Sequence, residues 1–241
     1  MRDMVSLQSS SHRPSPWRAW LDVGVTLAML ATAGVLLWKT VKTSGEPGRA
    51  QLAVPSETQS LANAAVLGSP DTQAVMIVYS DFQCPFCGKF AREIMPVIQA
   101  QYVDAGKLRI VFRHLPIPMH NNAQKAAEAA SCAGSQGRFW DMHNAIFADQ
   151  AELEPGQLRA RAERLKLDME RFDRCTAGET TEQVDRDFES AKSLGVSSTP
   201  SFLFGVVSPD ATGVTVKQVI SGVAPIAEFS KAIEALLIER G

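Results

Sequence analysis

The 241-residue chain carries 24 Lys and Arg against 26 Asp and Glu, a formal net charge of −2, and shows no long basic run. That balance argues against a phosphate-backbone partner, so no nucleic acid is expected. With 45% hydrophobic residues, the length allows one well-filled domain and an appendage.

The appendage comes first. Ala19 to Trp38 is an apolar run with a single charge, Asp22, near its leading end, and about 20 such residues cross a bilayer core as a helix. Trp17, Trp20 and Trp38 bracket it, where amphipathic rings favour the headgroup zone. Residues 1–18 are therefore expected as a short cytoplasmic segment and residues 19–38 as an uncleaved anchor in the lipid bilayer. A cleaved signal peptide competes, because Ala31-Thr32-Ala33 resembles a small-residue processing site and would yield a secreted protein. The apolar run continues beyond that site to Trp38, which favours the anchor. Arg2, Arg13 and Arg18 precede the span while Lys39, Lys42 and Arg49 follow it, so flanking charge does not orient it.

Residues 39–70 are rich in Ser, Gly, Pro, Ala and Gln and lack aromatic rings. They read as a flexible tether with a short helical turn near Ser60–Val66. Ala74 to Tyr79 is a short apolar, largely β-branched run, expected as a strand buried on both faces. The turn Cys84-Pro85-Phe86-Cys87 follows at once, then a helix with Phe90, Ile94, Val97 or Ile98, and Tyr102 at helical spacing. Pro96 is expected to kink that helix. Gly106 closes it, and residues 107–112 read as a second strand, completing a β-α-β unit with the cysteines at the strand-to-helix junction. Residues 121–194 turn helical, punctuated by Gly134, Gly137, Pro155-Gly156 and Gly178. Strands are expected at 201–204 and 214–220, and an amphipathic helix after Pro225.

Two cysteines three positions apart can hold a metal, staple a turn or exchange electrons. A structural zinc site needs four ligands, and His114, His120 and His143 form no close ligand run with Cys132 or Cys175; each reads as an ordinary core or surface histidine. Two thiolates could still hold Cu(I), a soft ion content with few ligands. A staple over so small a loop constrains little unfolded-state entropy. Disulfide exchange, by contrast, needs a second thiol within reach to resolve a mixed disulfide on the first. The junction also supplies a means of ionisation. Pro85 suits the first helical turn, and unpaired amides there, with the helix dipole, favour an anion on Cys84. Cys84 is thus the expected nucleophile and Cys87 the resolving thiol, while Phe86 offers neither charge nor hydrogen bond.

The stretch D-F-Q-C-P-F-C-G-K-F, a strand ending in R-H-L-P, a helical stretch, and S-S-T-P-S-F before a closing strand pair and helix resemble the DsbA-like branch of the thioredoxin superfamily. The resemblance covers about Val66 to the C terminus. It implies an α/β thioredoxin fold with an inserted helical domain, over residues 71–241, and disulfide exchange on protein substrates. It also implies a cis Pro200 facing the cysteine pair, with Thr199 before it shaping redox behaviour and substrate contact; without the resemblance, a trans proline at the start of a strand is the ordinary reading. The family's best-known oxidase has histidine in the dipeptide where Phe86 stands here, which leaves strong oxidising power open.

Cys132 and Cys175 both fall in the helical stretch. They can be small buried residues, a relay to Cys84, or a structural disulfide, and in an exported protein pairing is favoured. Such a bond would contribute roughly 3–4 kcal/mol on a chain-entropy estimate. Disulfides persist outside the cytosol, which places the catalytic domain on the outer face of a cytoplasmic membrane, in a periplasm or its equivalent. The expected activity is membrane-anchored thiol-disulfide exchange in exported proteins, with cysteine-containing substrates, a membrane redox partner that resets the site, and no cofactor or metal. The alternative is a copper-handling thiol carrier. A glutathione-dependent conjugation or isomerisation has no dedicated feature here, because it does not need Cys87.

Overall fold

The computed structural model describes Met29 and residues 53–179 and 181–238. The segment expected at 1–18, the anchor expected at 19–38 apart from Met29, and the first part of the tether lie outside the described residues. Among the described residues no helix is long and apolar enough to cross a membrane.

Six strands form one sheet: β1 (Gln59–Ser60), β2 (Ala65–Leu67), β3 (Ala74–Ser80), β4 (Arg109–His114), β5 (Ser201–Val207) and β6 (Gly213–Ser221), in the order β1-β6-β5-β3-β4-β2. β3 and β4 are parallel, and every other neighbouring pair is antiparallel. The parallel pair requires a crossover, supplied by α1 (Pro85–Lys89) and α2 (Met95–Ile98), each continued by a π-helical turn, Phe90–Ile94 and Gln99–Val103. All seven residues of β3 are buried, which explains why its sequence lacks the apolar-polar alternation of a half-exposed strand.

Alternation along β3 sends side chains to two cores. Met76 and Val78 meet Phe90, Ile98, Phe202 and Phe229 beneath α1, α2 and the last helix, α8 (Ile226–Ile238). Val75, Ile77 and Tyr79 face the other way, against Leu203, Val216, Ala191 and Val196. Each such buried large side chain contributes about 1.5–3 kcal/mol. Between β4 and β5 lies the helical insertion: α3 (Ala123–Gly134), α4 (Phe139–Ala148), α5 (Pro155–Arg164), α6 (Met169–Arg174) and α7 (Thr181–Ser193). Its core, including Met142, Ile146, Leu158 and Phe172, runs without a break into Phe82, Cys84 and Cys87.

One expectation needs correction. The folded unit begins within the stretch expected as a tether: Gln59–Ser60 pairs with Val214 and Gly213, and Ala65–Leu67 pairs with Phe112, Val111 and Ile110. Neither strand carries a period strong enough to reveal itself; each forms because a sheet edge is there to receive it. The expected helical turn near Ser60–Val66 is therefore replaced by edge strands. Just before Pro96 the helix widens by one residue per turn, the Met95 amide reaching Phe90 five residues back. An insertion of this kind absorbs a missing donor without ending the helix.

Candidate active site

Cys84 caps α1 in an extended conformation (φ −69°, ψ 122°), Pro85 occupies the first turn, and the Gly88 amide closes the first helical bond onto the Cys84 carbonyl at 3.1 Å. Both cysteines of the turn are unbonded thiols and nearly inaccessible, 4% exposed at Cys84 and 1% at Cys87, whereas Phe86 between them is 62% exposed. The turn thus presents an apolar ring to solvent with the reactive sulfur recessed beside it.

The Thr199–Pro200 peptide bond is cis. The structure brings this loop to the cysteine pair: the Cys84 thiol donates to the Thr199 carbonyl at 3.5 Å. The Pro200 carbonyl accepts from the Gly222 amide at 2.8 Å, and the Ser201 hydroxyl donates to the Ser198 carbonyl at 2.7 Å, which holds the loop against β6. The Thr199 hydroxyl is buried and stabilises the Cys84 anion.

The two thiols titrate apart. Cys84 is held down to about 5, first by a hydrogen bond from the Cys87 thiol, against the opposing effect of burial, then by Thr199 and the amides of Cys87 and Phe86. Cys87 is pushed well above the ordinary thiol range by burial and by the neighbouring Cys84 sulfur. From sequence alone the helix-start amides carry the acidification; in the structure they rank behind the Cys87 thiol.

Several residues that sequence did not single out organise this turn. The fully buried Asp81 carboxylate accepts from the amides of Gln83 and Ile117, each at 2.7 Å, and lies 2.7 Å from His120 Nδ1. The Asp81 carbonyl accepts from the Cys84 amide at 3.2 Å, and its amide points to Cys87 Sγ at 3.5 Å. An Asp whose side chain bonds the amide two residues on is a known turn-former, so D-F-Q ahead of the cysteines held a local clue to Asp81. The approach of His120 and Ile117 had none.

His114 and His143 lie beneath the turn among Phe82, Phe112, Phe139 and Phe147. Burial depresses His114 to about 3, with Arg113 and His143 adding to the effect, and His143 to about 4. Both are neutral packing residues at physiological pH. Cys132 and Cys175 are joined by a disulfide with Cα atoms 5.7 Å apart, linking α3 to the turn that follows α6. Both are buried. Among the described residues, no three or more His, Cys, Asp or Glu side chains converge as a metal site.

The comparisons with known proteins agree with this geometry. A family model described as thioredoxin matches residues 60–210. The oxidised BdbD of Bacillus subtilis is 24% identical with a TM-score of 0.66, over 77% of this chain and 98% of that one. DsbA2 of Pseudomonas aeruginosa is 26% identical with a TM-score of 0.57, over 76% and 96%. The Na(+)/H(+) antiporter NhaA 3 of Salinispora tropica is 41% identical over 143 residues, 57% of this chain but 21% of the antiporter. The chain therefore spans only about a fifth of the curated relatives it matches, and that likeness concerns one segment of a longer protein. The family match shows that the chain belongs to the thioredoxin family, and its fold is that of BdbD and DsbA2.

Proposed function

We propose that the protein introduces disulfides into cysteine-containing exported proteins, with Cys84 as nucleophile and Cys87 as its buried partner. A substrate thiolate attacks Cys84 of the Cys84–Cys87 disulfide, the Cys87 sulfur leaves and takes a proton, and a mixed disulfide remains on Cys84. A second substrate thiolate then attacks the substrate sulfur of that bond, and Cys84 leaves as a thiolate. The substrate loses two electrons and the Cys84–Cys87 pair gains them.

The observation that carries this direction is the asymmetry of the two thiols. A low pKa makes Cys84 the better leaving group in the final step, and stabilising the reduced pair makes its disulfide more oxidising. A thiol held protonated is a poor nucleophile, so Cys87 rarely reverses the mixed disulfide. The asymmetry also disfavours copper carriage, which calls for both sulfurs as thiolates. Thr199 and Pro200 line the approach to Cys84, and the exposed Phe86 suits an apolar stretch of polypeptide beside the reacting cysteine.

Residues 19–38 serve in this proposal as the membrane anchor, with the catalytic domain facing an extracytoplasmic space. The apolar run bracketed by tryptophans supports the anchor, and the Cys132–Cys175 bond fits an oxidising compartment. A membrane redox partner then reoxidises the pair. Equilibration of the full chain with glutathione buffers tests the direction: a potential near about −120 mV marks an oxidase, while one near about −270 mV marks a reductant. Cys84→Ser should abolish exchange, and retained activity in that variant would overturn the assignment.

A further inference from the structure

We propose that Gln150, from the helical insertion, is a positioning residue that clamps the active-site turn and sets where the Cys84 sulfur lies. Gln150 stands just beyond α4, and its Nε2 donates to the carbonyls of Phe82 at 2.8 Å and Cys84 at 2.9 Å. A single NH₂ group, with its two hydrogens, thus bridges the backbone on both sides of Gln83. The opposite end of the amide faces Arg92, whose Nη1 donates to Gln150 Oε1 at 3.1 Å and to the Phe147 carbonyl at 2.7 Å. This surround assigns the amide orientation: flipped, it would set its oxygen against two carbonyl oxygens and its nitrogen against a guanidinium.

Gly88, directly after Cys87, is the imprint of the clamp on the sequence. A Cβ at Gly88 would stand 1.8 Å from Gln150 Oε1 and 2.7 Å from Arg92 Nη1. The first distance is far inside contact range, so the clamp and a side chain at position 88 exclude one another. Within a helix, alanine is otherwise favoured over glycine; the glycine here serves the space taken by Gln150.

The Cys84 sulfur depends on its distance to the Cys87 thiol and Thr199, and both shift if the carbonyl of Cys84 swings. The helical insertion thereby reaches the redox centre through one side chain 66 residues along the chain. The consequence for exchange rests on the function proposed above, while the titration of Cys84 reads the clamp without it.

The test is the ultraviolet thiolate titration of the reduced full chain, with thermal melting alongside. Gln150→Ala, Gln150→Glu and Gly88→Ala should each raise the Cys84 midpoint by about one pH unit, the size of one weakened hydrogen bond to the anion. The double variant Gln150→Ala/Gly88→Ala should shift no further than Gln150→Ala, because the Gln150 atoms that obstruct the new Cβ are gone and the flexible end of Arg92, released from Gln150 Oε1, is free to move aside. Midpoints that stay in place while only melting changes would reduce Gln150 to a structural contact and overturn the proposal, as would additive shifts in the double variant. A wild-type behaviour of Gln150→Glu, which keeps the size but loses both donors, would also overturn it. Failure of the wild-type chain to exchange disulfides would instead count against the proposed function, with the clamp still judged by the titrations.

Discussion

Replacing Cys87 by alanine separates two causes of an acidic Cys84. The Cys87 thiol ranks first among the groups that stabilise the Cys84 anion, ahead of Thr199 and the amides that open α1. A hydrogen bond to a charged group contributes about 1.5–3 kcal/mol, and about 1.4 kcal/mol corresponds to one pH unit. Cys87→Ala should therefore move Cys84 from about 5 to between about 6 and about 7. Cys87→Ser, which keeps a donor, should return most of the shift. The assay is the rate of alkylation by iodoacetamide across pH. The midpoint of that profile carries the test and the limiting rate does not, because a more basic thiolate is intrinsically the better nucleophile. At pH near 6 the two effects oppose; at the midpoint they do not. A Cys87→Ala midpoint still at about 5 would refute the ranking and return the acidification to the helix-start amides.

Three further outcomes follow from the geometry. Because the folded-state pKa of Cys84 is depressed, the reduced protein binds fewer protons than its unfolded chain between about pH 5 and about pH 9, and its stability falls as pH drops through that window. The oxidised form lacks this effect, so the melting-temperature advantage of the reduced form should shrink towards pH 5; a gap that stays constant from about pH 8 to about pH 5 would contradict it. Asp187 pairs with Arg113 at 2.7 Å in a buried site that also takes the His114 amide and the Gln183 side chain. Asp187→Ala strands the guanidinium and should cost about 3–5 kcal/mol in denaturant unfolding, against little loss if the pair is exposed in solution. Replacing both Cys132 and Cys175 by alanine should lower stability by roughly 3–4 kcal/mol yet leave exchange at Cys84 active below the new melting point; loss of exchange in folded protein would make the second pair part of the redox path.

How much of this was legible beforehand depends on the range of the interaction. β3 was readable because every one of its positions is buried, so composition alone marks it. The cysteine turn was readable because a strand, a proline and a helix meet within a few residues. The edge strands β1 and β2 were not, since their pairing partners lie in β6 and β4 and the segments themselves carry no period. Asp81 stood in a recognisable turn pattern, but its contact with His120 spans 39 residues.

Sequence by itself determined the order of elements from β3 onward, the helix-start position of Cys84 and the placing of two thiols within one turn, because periodicity and turn chemistry act between near neighbours. Tertiary structure alone decided that the Cys87 thiol outranks the helix-start amides in holding Cys84 acidic, and that Gln150 holds the carbonyl of Cys84. Those outcomes depend on depth below the surface and on groups that share no local pattern, so only the closed fold brings them within bonding distance.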